Sequence, residues 1–281
     1  MLEPLKKFKP LLRPRNIFLF ILFAVLVVIG LEVQDSYRQH GKFRTMQDPI
    51  ASSEKVDLTG LHELHAAGGP ALPLSEIQKR LGPTAQHIVI VDGRRTRNGY
   101  LNGIPTTYYN YAQENPSLKA YLWRLIYTGT FRALTDQVVS PEEEAKKHGF
   151  GYANFEIGSK YKSPDEAVDG VVQFYDSLPK DSWVYFHCHH GKGRTSMMIV
   201  MWDIMANAPQ VALEDIIKRQ YLLGSVDLFD TSAWTKSTYS TKKLEERKEF
   251  IQKFYAFITQ RKAGGIQRWT DWNALKTQEA S

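Results

Sequence analysis

The sequence holds a single cysteine, Cys188, and it stands in the C-x5-R spacing with Arg194 inside the string VYFHCHHGKGRTSMMIV. The flanking patterns read as a buried strand running into a tight glycine-containing loop and then into a helix. Such a loop points successive backbone N–H groups into one concavity, and the helix dipole adds partial positive charge, so the arrangement is a cradle for an anion. A thiol at the base of such a cradle is held as thiolate by the same field, which makes it a nucleophile. Arg194, at the far rim, is placed to grip two oxygens of a phosphoryl group with its planar fork and to follow the charge into the transition state. Gly191 and Gly193 permit backbone angles and a close approach that a Cβ would hinder. Thr195 is placed to hydrogen-bond the sulfur, and His187 to brace the loop. Together His187, His189, His190, Gly191, Lys192 and Gly193 are the expected substrate-binding wall.

A lone cysteine before a helix is more often a small buried hydrophobe, but the full HCxxGxGRT context favours the chemical reading. A metal site built from His187, His189 and His190 is disfavoured, because adjacent histidines point in different directions and no H-E-x-x-H or other separated ligand pattern supports it. No metal and no cofactor is expected.

The elements that position this loop belong to a chain of ordinary globular composition: 281 residues, 43% hydrophobic, 12% aromatic and 23% charged. One cysteine excludes a disulfide framework and any Cys-rich zinc site. The formal charge is +6, but Lys6, Lys7, Lys9, Arg13 and Arg15 against Glu3 put roughly +4 of it in the N-terminal tail, so no nucleic-acid footprint is supported. After that tail comes an apolar run, Ile17 to Leu31. Its length, about 15 residues, lies between a signal-peptide core and the ~20 residues of a spanning helix, and no small-x-small cleavage site follows it. The expected organisation is a basic cytoplasmic tail over 1–15, a transmembrane signal anchor over 16–33, a polar linker over 34–56 and a catalytic domain over 57–281. By the positive-inside rule that domain would lie across the membrane, in the periplasm of a bacterium.

Within the domain, Leu74–Leu81 reads as a short helix stopped by Gly82-Pro83, and Ile88–Val91 as a strand buried on both faces. Pro116–Leu125 and Pro141–Gly149 read as helices, the second a charged and solvated one, and Tyr152–Ile157 as a strand. Ser163-Pro164-Asp165-Glu166 has the capping-box spacing of a helix start, with Val168, Val171, Val172 and Tyr175 as the inward stripe. Trp183–Phe186 is a strand, and Thr195–Asn207, Leu213–Leu223 and Lys242–Ile258 are helices. Strands alternating with helices predict an α/β fold with a central, largely parallel sheet flanked by helices.

The loop HCHHGKGRT resembles the active-site loop of the protein tyrosine phosphatase (PTP) superfamily. The resemblance extends further in one branch, the bacterial cysteine phytases or PTP-like inositol polyphosphatases. IVDGRRTRNGYLNGIP (90–105) is similar to that family's VDLRxExHGYLxGIP, LPKDSWVYFHC (178–188) to its LPxDxWxHFHC, IKRQYLLGS (217–225) to its RQxxxGG segment and ERKEFIQKFYAF (246–257) to its closing helix. The similarity spans about residues 60 to 275. It implies a PTP-like fold, Cys188 as the nucleophile that forms a cysteinyl-phosphate, Arg194 as the phosphate clamp and Thr195 as the group that assists breakdown of the intermediate. It implies also that Asp92 and Arg94 orient the substrate or the catalytic loop, unless they form a structural ion pair.

Two departures bear on activity. The family's general-acid Asp lies in a loop of the form TDHxxP, where this chain reads FEIGSKYKSPD, so the acid falls to Glu156, to Asp165 or to no side chain at all. In the loop, His189 and Lys192 replace residues that are typically acidic and apolar in the phytases. Lys192 matches the lysine of lipid-phosphatase-type loops (HCxxGKGRT), and Arg95 and Arg97 add positive charge after the 88–91 strand. A wall of this charge suits inositol polyphosphates or phosphoinositides. The competing expectations are a protein tyrosine or dual-specificity phosphatase acting on phosphoproteins, and a phosphate-binding module that has lost its acid.

Overall fold

The structure is a computed structural model that describes residues 14–39, 41–51, 55–83, 85, 87–94, 98–107, 118, 121–122, 124–125, 129–132, 134, 137–155, 165–233 and 240–279. It divides into two compact units, Met1–His40 and Gly41–Ser281. The first contains helix α1 (Pro14–Gln39), whose apolar side chains, Phe18, Phe20 and Phe23 among them, are exposed.

The expected membrane anchor over 16–33 is corrected here. Among the described residues no helix is long and apolar enough to cross a membrane. The α1 helix is long, but its unbroken apolar part rises only about 22 Å, at 1.5 Å per residue, against a hydrocarbon core of roughly 30 Å. Asn16 precedes that part and Glu32 follows it. The topology inferred from the anchor, with the catalytic domain on the far side of the membrane, falls with it.

The second unit is built on a mixed sheet whose strand order is β1-β2-β7-β3-β6. The strands are β1 (Arg44–Thr45), β2 (Ala66–Pro70), β3 (Ile88–Asp92), β6 (Gly151–Asn154) and β7 (Trp183–Cys188). The pairs β2–β7, β7–β3 and β3–β6 are parallel, and only the short edge strand β1 runs antiparallel. Strands β4 (Asn98–Leu101) and β5 (Ile104–Thr107) form a separate antiparallel hairpin. Its turn residues Asn102 and Gly103 both have positive φ, 51° and 77°, the requirement that makes Asn-Gly the preferred two-residue hairpin turn.

Strand alternation divides the core into two layers. Val184 and Phe186 of β7 and Val91 of β3 pack on one face with helices α4 (Asp165–Ser177), α5 (Gly193–Asn207), α6 (Leu213–Leu222), α7 (Thr241–Lys262) and α8 (Trp269–Glu279). Tyr185, Ile88 and Ile90 face the other way, onto α2 (Leu74–Leu81), Tyr100 of the hairpin and Ala145 of α3 (Pro141–Lys147). The helix α5 is buried along most of its length, as the all-round apolar sequence predicts. It lies close to β2 because that strand is small: a Cβ on Gly68 would stand 2.3 Å from Ile199 Cδ1 and 3.1 Å from Thr195 Cγ2. The helix α8 closes the layer through Trp269, whose ring meets Phe250, Phe254, Phe257 and Trp272 at centroid distances of 5.5 to 6.1 Å.

Two expectations need revision. Residues 41–46 are not part of a polar tether: β1 joins the sheet, and Met46 and Arg44 are 0% and 1% exposed. A two-residue strand leaves no periodicity to read. The short helix α3 opens on a capping box between Ser140 and Glu143 that was not expected from the sequence, whereas the capping-box spacing that was, at Ser163, lies outside the described residues. Glu144 of α3 is not solvated but buried beside Lys147 and His148.

Candidate active site

Strand β7 is buried on both faces and delivers Cys188 to its C-terminal end, where the loop His189–Lys192 turns into α5. The Cys188 side chain is buried. Thr195, in the first turn of α5, is 0% exposed; its Oγ1 lies 3.3 Å from Cys188 Sγ and 3.4 Å from the Gly69 carbonyl oxygen. One hydroxyl proton cannot serve both acceptors at once, so Thr195 Oγ1 has the sulfur and the carbonyl oxygen as alternatives. Gly191 supplies the turn, with φ +70°. Thr195 and Cys188 are in direct contact, and Arg194 lies in the first turn of α5.

Arg194 is held at the rim by one bond, from Nη1 to the Gly93 carbonyl oxygen at 2.7 Å. That carbonyl is fixed from below. Gly93 N donates to the His187 carbonyl oxygen at 2.8 Å, and the flanking Asp92 and Arg94 are locked together. Arg94 Nε lies 2.9 Å from each Asp92 oxygen, Nη2 lies 2.7 Å from Oδ2, and Arg94 N donates to Oδ1 at 2.9 Å. Tyr152 donates to Asp92 Oδ2 at 3.2 Å, and Asn154 Nδ2 ties the Asp92 and Arg94 carbonyl oxygens at 2.9 and 3.2 Å. Both charged side chains are buried, at 2% and 1% exposure. Of the alternatives the sequence left open for Asp92 and Arg94, the structure has the ion pair. The pair spans the turn after β3 through both side chains and the Arg94 backbone N–H.

Electrostatics agree with that pairing. Burial lowers the Arg94 pKa, but its bonds and charge attraction to Asp92 outweigh this and raise it. Burial pushes the Asp92 carboxyl up, and the His187 and Arg94 charges with the Arg94 hydrogen bonds outweigh burial, so it lies below the ordinary carboxylate range. His187 itself is driven down to about 4 by burial, against the opposing pull of Asp92. Its Nδ1 stands 3.9 Å from Asp92 Oδ1 and has no hydrogen-bond partner. His187 is therefore neutral at neutral pH, and Arg94 is the partner that keeps Asp92 ionised.

A pH dependence follows. The unfolded chain protonates His187 near 6.5 and the folded chain only near 4, so between these values the unfolded state binds more protons. Stability rises with pH across that window and is lost as pH falls through it, by up to about 3 kcal/mol. The Asp92 contribution lies lower, because its folded pKa is depressed below 3.8. Denaturant midpoints measured at pH 7 and pH 4.5 should drop further for the wild type than for a His187→Gln variant; equal drops would remove His187 as the cause.

The remaining candidates are placed differently. His189 and His190 meet ring to ring at a centroid distance of 4.5 Å, and His189 and Lys192 are exposed on the loop. Glu156 and Arg97, like Arg95, lie outside the described residues. Asp165 opens α4, and both its oxygens are taken by α8: Trp269 Nε1 donates to Oδ1 at 2.9 Å and Asn273 Nδ2 to Oδ2 at 3.0 Å. The carboxylate is directed onto the closing helix, away from a role as proton donor. An Asp165→Asn variant, which sets an amide N–H against one of these donors, is expected to lose about 1–3 kcal/mol of stability while turnover of an aryl phosphate stays within about 2-fold of wild type. A larger loss for poor leaving groups than for good ones would restore Asp165 as the acid.

Sequence reasoning missed the support behind the loop. Arg44 reaches the Gly191 carbonyl oxygen at 3.2 Å, Ser196 Oγ at 3.4 Å and Ser225 Oγ at 3.1 Å. Tyr152 and Asn154, which hold Asp92 and the Gly93 turn, were also unsignalled. The only hint for Arg44 was its place between Phe43 and Met46 in an otherwise polar stretch.

Comparison with known proteins follows the same geometry. The family model described as PTP-like phytase, inositol hexakisphosphate, matches residues 108–206. An uncharacterized protein, AvrBs1.1 of Xanthomonas campestris pv. campestris, is 33% identical over 95 residues, covering 34% of this chain and 91% of that protein. The effector protein HopD2 of Pseudomonas syringae pv. tomato is 29% identical over 138 residues, 49% of this chain and 29% of that protein. Among solved structures, the tandemly repeated PTP-like phytase of Mitsuokella multacida superposes with a TM-score of 0.66 at 25% identity. The match covers 85% of this chain and 46% of that one, so this chain spans less than half the length of the tandem protein. A Mitsuokella multacida PTP-like myo-inositol phosphatase in complex with myo-inositol-(1,3,4,5)-tetrakisphosphate matches equally, with a TM-score of 0.66. A PTP-like phytase of Bdellovibrio bacteriovorus shares the fold, with a TM-score of 0.60 at 24% identity over 85% of this chain and 91% of that one. With the cysteine loop, the arginine that follows it and the Asp–Arg turn after β3, the chain belongs to the PTP-like phytase family.

Proposed function

We propose that this chain hydrolyses phosphate monoesters of inositol polyphosphates through a cysteinyl-phosphate intermediate. The observation that carries the reading is the convergence on Cys188 Sγ of the Thr195 hydroxyl, 3.3 Å away, with Arg194 anchored at the loop rim by a 2.7 Å bond to Gly93. Cys188 as thiolate attacks phosphorus, and the ester P–O bond breaks with its electron pair leaving on the alcohol oxygen, which takes up a proton. Arg194 and the loop amides carry the charge that gathers on the equatorial oxygens. Water then attacks phosphorus, the S–P bond breaks, and the thiolate returns; Thr195 stabilises that leaving sulfur. The net change is monoester plus water to alcohol plus phosphate.

For the proton on the leaving oxygen we favour Glu156 over Asp165. Phe155 N donates to the Asp92 carbonyl oxygen at 2.9 Å and Glu156 is the next residue in the sequence, whereas Asp165 is bound to α8. The substrate class rests on charge and kinship. Lys192 and His189 are exposed on the loop, which suits a ligand with several phosphates, and a structural relative binds an inositol tetrakisphosphate.

The test is phosphate release by the full chain from inositol hexakisphosphate, a phosphoinositide headgroup, a phosphotyrosine peptide and an aryl phosphate, with a Cys188→Ser chain as the blank. Cys188-dependent release mainly from the inositol substrates is expected. Preference for the peptide would replace the substrate class with phosphoprotein. Tight binding of inositol hexakisphosphate without turnover of even the aryl phosphate would replace the enzyme with a binding module.

A further inference from the structure

We infer that residues 41–44 form the back wall of the phosphate cradle and that Arg44 is a positioning residue that aims the loop's amides at the phosphoryl group. This rests on the phosphatase reading above and concerns how the cradle is held open. Two consecutive loop carbonyls are bonded to this segment: His190 O accepts from Gly41 N at 2.6 Å, and Gly191 O accepts from Arg44 Nη1 at 3.2 Å. In a trans peptide the C=O of one residue and the N–H of the next point in opposite directions. Fixing the His190 and Gly191 carbonyls on the segment therefore turns the Gly191 and Lys192 N–H groups away from it, toward the concavity.

Arg44 joins three elements in this role. Beyond Gly191, its Nη2 reaches Ser196 Oγ in the first turn of α5 at 3.4 Å and Ser225 Oγ, after α6, at 3.1 Å, while Nη1 also reaches Lys42 O at 3.3 Å. Ser196 Oγ is held in turn by Val226 N at 3.0 Å. The segment lies tight against the loop: a Cβ on Gly41 would stand 2.9 Å from Gly191 O. A guanidinium that is 1% exposed and whose hydrogen bonds go to carbonyls and hydroxyls is costly to keep unless a negative charge answers it. Burial lowers the Arg44 pKa to about 10, with Tyr185 and Cys188 opposing that shift, so Arg44 stays charged at neutral pH. The counter-charge that suits it is the one the active site supplies, the thiolate and the phosphoryl oxygens in front of the loop.

The experiment uses orthovanadate, an oxyanion that reports on the cradle independently of the leaving group, together with kcat and KM for inositol hexakisphosphate. A folded Arg44→Met chain is expected to bind vanadate at least about 10-fold more weakly and to lose kcat rather than gain KM. Arg44→Lys should recover part of both, because an ammonium reaches Gly191 O or the serines but does not bridge them. Near-UV circular dichroism verifies folding. If Arg44→Met does not fold, Ser225→Ala decides: it removes one guanidinium partner, leaves the Gly191 bond, and should weaken vanadate about 3-fold. Wild-type vanadate affinity and kcat in the folded variant overturns the inference alone. A wild-type chain that binds no vanadate overturns the phosphatase reading and this one with it.

Discussion

A Cys188→Ser chain is expected to lose at least about 10⁴-fold in phosphate release, some 5.5 kcal/mol of transition-state stabilisation, while binding inositol hexakisphosphate within a few-fold of wild type. The asymmetry follows from how the proposed mechanism divides the work of the site. Binding belongs to the loop amides and to Arg194, which is tied to Gly93 rather than to the thiol. Chemistry belongs to the sulfur, and a serine hydroxyl in its place ionises only far above neutral pH and leaves phosphorus reluctantly. Thr195 would still have an acceptor in the serine oxygen or in the Gly69 carbonyl oxygen, 3.4 Å away, so the loop has no reason to collapse. Isothermal titration alongside a phosphate-release assay separates the two effects. Turnover that survives the substitution would place the reaction elsewhere; binding that disappears with it would mean that Cys188 holds the loop together instead of attacking phosphorus.

The sequence makes this centre legible because it is local. Strand, loop and helix are consecutive from Trp183 to Asn207, the apolar runs are unbroken, and C-x5-R needs no partner from elsewhere in the chain. The turn after β3 is legible only in part: Asp92 and Arg94 stand out through their family pattern, but whether an arginine faces substrate or its own strand depends on burial, which spacing does not encode. What was not legible is held by distant contacts. The sequence AAGGP has low strand propensity, and it is a strand because α5 approaches it closely and β7 pairs with it. Arg44 lies 147 positions from Gly191, the loop residue it supports, and its two-residue strand shows no alternation. Asp165 looked like an acid candidate because it follows the acid-loop segment; Trp269 and Asn273, more than a hundred positions on, decide where its carboxylate goes. The apolar run at the N-terminus misled because hydrophobicity alone announced a span that its length does not support.

Gly191→Ala should be the most damaging substitution in the loop that leaves every catalytic side chain in place. Two penalties act at once. Gly191 has φ +70°, and an added Cβ would stand 2.3 Å from Gly69 C and from Pro70 N. The first penalty, about 1 kcal/mol, is common to any alanine in a left-handed position. The second has no cheap relief, since the obstructing atoms are backbone. Strand β2 cannot retreat without breaking its parallel register, in which Pro70 pairs with Cys188. The loop cannot retreat the other way either, because Arg44 and Gly41 hold its carbonyls from behind. The backbone amides must therefore shift, and a misplacement of about 1 Å costs on the order of 10²-fold in turnover. Gly149→Ala is the matched control, with φ +72° and nothing within 4 Å of its Cβ; it should show the strain as a small loss of stability and leave kcat/KM unchanged. If Gly191→Ala behaves like this control, the loop has room to move that the close approach of Gly69 and Pro70 denies, and the wall on both sides of the cradle is softer than its contacts require.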